Sequence, residues 1–300
     1  MITEPFEYHS PTTLEEAWQA MAETGADGKI VAGGHSLIPI MKLRLASPKY
    51  LIDIGRIEEL RNIREEDGRI EIGALATHYQ IEASDLLKRL CPLLPETASE
   101  IGDVQVRNKG TIGGSLAHAD PAADWPAAIL ALEAEIEARS ARGSRSIKAA
   151  DYFLDLMTTA LQPDEILTSI RVRAMPPHTG QAYLKLHHPA SGYAMVGVAA
   201  CVTLTESGAV AKAAVGLTGA GAKAVRAVAV EEVLSGKSPT NHKLDEAAAV
   251  AAQGLELNSD LYASAEYRGH LARVYTRRAL AKAVERARGA SSLQPVAVQG

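Results

Sequence analysis

Cysteine is almost missing from the chain: there are two in 300 residues, Cys91 and Cys201, far apart and outside any CxxC spacing. An iron-sulfur cluster needs about four ligands, mostly thiolates, so this chain holds none. A disulfide framework is equally unsupported. No apolar run approaches the ~20 residues of a membrane-spanning helix. The opening MITEPFEYHS has neither the basic nor the apolar region of a secretory signal, so a reducing, cytoplasmic setting is expected. Lys and Arg form no cluster and the net charge is −5, which removes the basic footprint of a nucleic-acid binder. Aromatic residues make up only 4% against 24 glycines, so Ala-rich helices and Gly-rich turns shape the protein more than large aromatic cores do. What is there, 47% hydrophobic and 22% charged residues, is a globular composition with length for about two domains.

Along the chain, residues 10–24 predict a helix with Leu14, Ala17, Trp18 and Met21 as its apolar stripe and Thr12-x-x-Glu15 as a capping box. Lys29–Ala32 is a short apolar run bounded by glycines, read as a buried strand. It leads into Gly33-Gly34-His35-Ser36 and a helix-like stretch through Arg44, then a second strand over 50–54. Together these make a small α/β unit with a parallel pair. Leu60 to Ala74 alternates around Asp67-Gly68, a hairpin signal. Helices are predicted over 77–90 and 95–101, mostly strand plus a short helix over 127–139, and strand over 165–173. Pro176, Pro177 and Gly180 mark a boundary in 174–180. Beyond it, strands are predicted over 183–186, 194–205 and 209–216, helices over 241–256 and 264–287, and a frayed tail from Gly289.

Two loops carry the chemistry. Ala32-Gly33-Gly34-His35-Ser36-Leu37 joins a strand to a helix, and Thr111-Ile112-Gly113-Gly114-Ser115 follows a polar stretch. Paired glycines let backbone approach an anion, and the N–H groups there form a natural phosphate cradle. On spacing alone the two loops fit a pyrophosphate held from both sides, and equally two unrelated tight turns. Other patterns carry less. Gly219-Ala220-Gly221-Ala222-Lys223-Ala224 matches a dinucleotide fingerprint in outline but lacks the helix, strand and acidic residue that should follow. His187 and His188, adjacent on a strand, point apart and are poorly placed for one metal; no metal site is expected.

AGGHSLIPIMKLRLASP at 32–48, VRNKGTIGGSLAHADPAAD at 106–124 and KLHHPASGYAMVGVAA at 185–200 closely resemble three segments of one family, in order and over nearly the whole chain. It is the FAD-binding medium subunit of the aerobic carbon monoxide dehydrogenase and xanthine dehydrogenase (molybdenum hydroxylase) family. The resemblance implies an α+β fold. Residues 1–175 would form a two-part FAD-binding domain of the vanillyl-alcohol oxidase or PCMH type. Residues 178–288 would form a small C-terminal domain with a three-stranded antiparallel sheet and helices. It implies FAD held by Ala32, Gly33, Gly34, His35, Ser36 and Leu37 and by Thr111, Ile112, Gly113, Gly114 and Ser115. Ile101, Asp124, Leu167 and Lys185 are implied as flavin or ribityl contacts. Read from the residues alone, Asp124 and Lys185 fit a helix cap or surface charge, and Ile101 and Leu167 fit the core. His35 raises the option of covalent flavin attachment, whereas the match to the carbon monoxide dehydrogenase pattern implies non-covalent FAD.

The family resemblance further implies a cytoplasmic electron-transfer subunit. Its partners would be an iron-sulfur small subunit with two [2Fe-2S] clusters and a large molybdenum cofactor subunit, in a dimer of heterotrimers. Electrons would pass from molybdenum through the clusters and FAD to NAD⁺, quinone or oxygen. Two alternatives are a self-contained FAD-dependent oxidoreductase of the same superfamily and a flavin-free binding or scaffold protein. Tyr193, in Ser191-Gly192-Tyr193-Ala194, reads as a packed strand-start residue or, by the family's layout, as a residue covering one flavin face.

Overall fold

The computed structural model describes residues 2–290. The chain begins with a parallel sheet in the order Glu7–His9, Tyr50–Asp53, Gly28–Val31. The helix Leu14–Thr24 lays Leu14, Ala17 and Ala20 against Ile52 and Ile54. The predicted parallel pair is present; the added strand Glu7–His9 is three residues long and largely exposed, so it leaves no pattern to read. The helix cap is Thr13, not Thr12: the Glu16 N–H donates to the Thr13 hydroxyl (3.2 Å) and the Thr12 N–H donates to the Glu16 carboxylate (2.7 Å). The cap therefore sits one residue further on, with Glu16 reaching back past it to Thr12.

A five-stranded antiparallel sheet follows, in the order Ile63–Glu66, Arg69–Gly73, Ile166–Arg173, Glu135–Ser140, Gly143–Lys148. Asp67 and Gly68 take φ of 51° and 73°, the positive pair that a tight hairpin of this type needs. Between Arg69–Gly73 and Glu135–Ser140 run six helices: His78–Ala83, Asp85–Leu90, Leu93–Ser99, Val104–Lys109, Ile112–His118 and Asp124–Ala131. The single helix predicted over 77–90 is split at Ser84, whose hydroxyl accepts from the Leu87 N–H and starts the second piece. Residues 127–139, predicted mostly as strand, begin inside the helix Asp124–Ala131, and the strand starts only at Glu135. All eight residues of that helix are buried, which erases the amphipathic period that would have revealed it.

The C-terminal sheet is an antiparallel meander of Thr179–His187, Ala194–Leu204 and Val210–Thr218, with a two-residue strand, Val225–Arg226, added at its edge. Both faces are covered, one by the long helix Ala265–Ala290 and the other by Asp124–Ala131. That double burial explains why Ala194–Leu204 reads as an almost unbroken apolar run. Glycine allows the layers to close: a Cβ at Gly180 would overlap the Ala283 carbonyl, and one at Gly216 the Ala127 carbonyl. Tyr183 and Ala199 share a buried cluster with Trp125 and Ile136, so the sheet and the preceding helices have a common core. The helix predicted over 241–256 ends at Ala249, and a further helix, Val228–Leu234, precedes it. Gly219 adopts φ 78° in a turn followed by bends and a short strand, not by a phosphate-binding helix. Of the tail predicted to fray, Gly289 and Ala290 still belong to the long helix, and 291–300 lie outside the described residues.

Candidate functional site

The parallel sheet, the helices of the middle region and the turn 188–193 enclose a cavity of about 500 Å³. The strand Gly28–Val31 feeds the first Gly loop, which opens the helix Leu37–Lys42. Among the described residues, the N–H groups of Gly33, Gly34, His35, Ser36 and Leu37 have no acceptor; the first bond of the helix runs from the Ile38 N–H to the Gly34 carbonyl (3.0 Å). Gly34 has φ 72°, which only glycine adopts without strain. Gly33 instead serves close packing, because a Cβ there would overlap the Lys109 carbonyl and the Gly110 Cα. His35 turns back on the loop, its Nδ1–H donating to the Gly33 carbonyl (2.8 Å).

The second loop is built differently. Thr111 caps the short helix Ile112–His118, accepting from the Gly114 N–H (3.1 Å). The N–H groups of Ile112, Gly113 and Ser115 donate to the carbonyls of Ala76 (3.1 Å), Ala74 (2.9 Å) and Thr111 (3.0 Å). Four of its amides are thus committed, and only the first loop presents an unpaired run of donors. The expectation of two equivalent backbone cradles is corrected accordingly: the second loop offers compact glycine walls and side chains. Ile112 is fully buried and does not face the cavity.

Ile101 and Leu167 border the cavity, as do Asp124 and Tyr193. Lys185 does not. Its Nζ is sealed off, paired with the Asp124 carboxylate (2.8 Å) and donating to the Gly192 carbonyl (2.8 Å). The Tyr183 hydroxyl donates to the same carboxylate (2.6 Å). Burial pushes the Asp124 pKa up, opposed by the Lys185 ammonium. This buried trio fastens the helix start at Asp124 to the turn at Gly192, which has φ 72°. Tyr193 hangs from that turn over the cavity, its phenol facing the Ser36 hydroxyl, and burial followed by the Asp120 charge raises its pKa. His187 pairs with Glu100 (2.9 Å), while the His188 Nδ1 accepts from the Ala190 and Ser191 N–H groups and ties off the turn.

A run of five unpaired N–H groups beside a positive-φ glycine is what a pyrophosphate requires, and the cavity extends from there toward the C-terminal sheet. Residues 4–174 match the family model described as the FAD binding domain in molybdopterin dehydrogenase, and 181–283 match the CO dehydrogenase flavoprotein C-terminal domain. The chain belongs to this family of FAD-binding subunits. The carbon monoxide dehydrogenase medium chain of Hydrogenophaga pseudoflava is 40% identical, over 93% of this chain and 97% of that one. The 6-hydroxypseudooxynicotine dehydrogenase complex subunit alpha of Paenarthrobacter nicotinovorans is 38% identical, over 94% and 96%. A solved structure of carbon monoxide dehydrogenase from Hydrogenophaga pseudoflava superposes with a TM-score of 0.93, at 40% identity, covering 95% of this chain and 99% of its counterpart.

The flavoprotein subunit also places at its site residues that sequence reasoning missed. His78, at the start of the helix His78–Ala83, borders the cavity and is only 4% exposed. Trp125 lies behind it and donates its indole N–H to the His78 Nδ1 (3.1 Å). A lone histidine after a capping threonine has no spacing that would have marked it. Among the described residues no helix is long and apolar enough to cross a membrane.

Proposed function

We propose that this flavoprotein works as the electron outlet of a cytoplasmic molybdenum hydroxylase assembled as a dimer of heterotrimers. Residues 1–175 form its FAD domain and 178–288 its C-terminal domain. The partners are a small subunit carrying two [2Fe-2S] clusters and a large molybdenum subunit; relatives named as medium, alpha and beta subunits of dehydrogenase complexes support this. The observation that carries the reading is the unpaired amide run Gly33–Leu37 at the edge of the 500 Å³ cavity. FAD, held non-covalently, takes up electrons singly and releases them singly or in pairs.

The residues of this chain have distinct tasks in that reading. Gly33 to Leu37 hold the pyrophosphate by their N–H groups, and Thr111, Gly113, Gly114 and Ser115 wall the other side. Ile101, Leu167 and Asp124 line the path of the ribityl chain and ring. Lys185 acts at one remove, by fixing Asp124 and Gly192. Tyr193 covers one ring face, an aromatic contact worth roughly 0.5–1.5 kcal/mol, and so favours a quinone or another acceptor over a nicotinamide.

Purification with the genes beside it should yield equal amounts of three chains, with iron and molybdenum confined to the partners. The flavin-loaded chain alone should oxidise no substrate; turnover by the isolated chain would replace this reading with a self-contained oxidoreductase. In the assembled enzyme Tyr193→Ala should alter both the flavin absorbance and the ratio of NAD⁺ to quinone rates. If neither moves, Tyr193 only packs.

A further inference from the structure

His78 sits where three backbone segments meet. Its own N–H donates to the Gly110 carbonyl (3.0 Å), Gly110 lies against Gly33 of the first loop, and a Cβ at Gly110 would come within 2.6 Å of the His78 Nε2. The imidazole therefore reaches the junction of the two Gly loops, and the absence of a side chain at Gly110 leaves Nε2 its space. An indole N–H can only donate, so the His78 Nδ1 bonded to Trp125 is an acceptor and carries no proton. The neutral ring must then bear its proton on Nε2, on the side away from Trp125. That donor has no hydrogen-bond acceptor among the described residues, and the otherwise buried side chain borders the cavity. Nε2 is not shut off from that space, so a ligand in the cavity can serve as its acceptor.

We propose that the Nε2–H of His78 is a side-chain hydrogen-bond donor to the FAD pyrophosphate, set in that tautomer by Trp125. The inference rests on the FAD-subunit reading and adds to it a residue with a defined protonation state. Burial, followed by the neighbouring charges of His35 and Arg107, holds the imidazole pKa down to about 3. In the cofactor-free chain the ring is thus neutral at physiological pH, with its one proton on Nε2. Arg107 does not compete for the same acceptor, since its side chain is engaged by Glu82 (2.8 Å) and by the Ile101 and Gly102 carbonyls.

The test uses the assembled complex stripped of flavin, with FAD and ADP as separate probes. His78→Phe keeps a ring against Trp125 and deletes the donor. It should weaken FAD and ADP alike, by about tenfold to a hundredfold for the loss of one bond to a charged acceptor, and His78→Gln should recover most of the loss. FAD binding by His78→Phe within threefold of the parent overturns the proposal, as does a loss seen with FAD and not with ADP. Parent complex that binds no FAD would instead refute the underlying functional reading. Independently of any variant, ¹⁵N spectra of the histidine-labelled full chain at pH 7 should show His78 protonated at Nε2 alone. A proton on Nδ1, or on both nitrogens, would also overturn it.

Discussion

In the first Gly loop five consecutive N–H groups, Gly33 to Leu37, are left without acceptors, whereas in the second the N–H groups from Ile112 to Ser115 are all bonded within the chain. Both carry a Gly-Gly pair followed within two residues by serine, but the first pair precedes its helix, Leu37–Lys42, whereas the second lies inside the first turn of Ile112–His118. Their surroundings separate them. The second loop runs beside the segment 74–76, whose carbonyls take up two of its amides while Thr111 takes the other two; no carbonyl among the described residues accepts from the amides of the first. One loop can bind an anion by backbone; the other is a wall held in place by hydrogen bonds.

The sharpest way to break this contrast is Gly33→Val. A branched side chain at that position must push the Lys109–Gly110 segment away and open the junction of the loops. FAD occupancy should be lost even at high cofactor concentration, and Tm should fall by several degrees; flavin absorbance of the purified complex and a melting curve decide it. Retained stoichiometric FAD would mean that the first loop does not hold the cofactor.

Gly113→Ala addresses the second loop. The added methyl would lie 2.5 Å from the Ala74 Cβ and 2.7 Å from its carbonyl oxygen, an overpacking expected to cost about 1–3 kcal/mol. Since no free donor is removed, the surviving folded protein should regain its flavin when FAD is supplied in excess. A variant as stable as the parent but unable to bind FAD would show that the second loop, too, binds by its backbone.

The smallest effect concerns pH. His78 has a folded-state pKa near 3 against an ordinary value of 6.5, so below about pH 6.5 the unfolded chain takes up a proton that the folded chain refuses. Stability is therefore highest above pH 6.5 and declines as pH falls toward 3, by roughly 1 kcal/mol for each unit well below 6.5. Between pH 6 and 5, before most carboxylates titrate, His78→Phe should flatten the decline in stability measured by urea unfolding. An unchanged slope would place the His78 imidazole in water.

Much of the local structure was legible in the sequence. Asp67-Gly68 gave the hairpin, alternation gave its strands, and a short apolar run between glycines gave the strand that delivers the first loop. The long C-terminal apolar runs gave three strands, and the third family segment placed Tyr193 beside the cavity. Elements whose neighbours cover every side were harder. The helix Asp124–Ala131 has no polar face to set its period, and Glu7–His9 is too short to have one. At the site, Lys185 carries no sequence sign that its ammonium is sealed behind Asp124.

The sequence by itself determined where glycine lets the backbone turn or close up, where polar caps start helices, and which three segments mark a flavoprotein subunit. These depend on residues within a few positions of one another. Only the tertiary structure decided which amides stay free, because the acceptors that occupy Ile112 and Gly113 are carbonyls brought in from Ala76 and Ala74, tens of residues away. It likewise decided the tautomer of His78, through an indole 47 positions along the chain. Hydrogen-bond satisfaction is settled by whichever donor and acceptor the packed fold brings within about 3 Å, and that choice is not written in either partner alone.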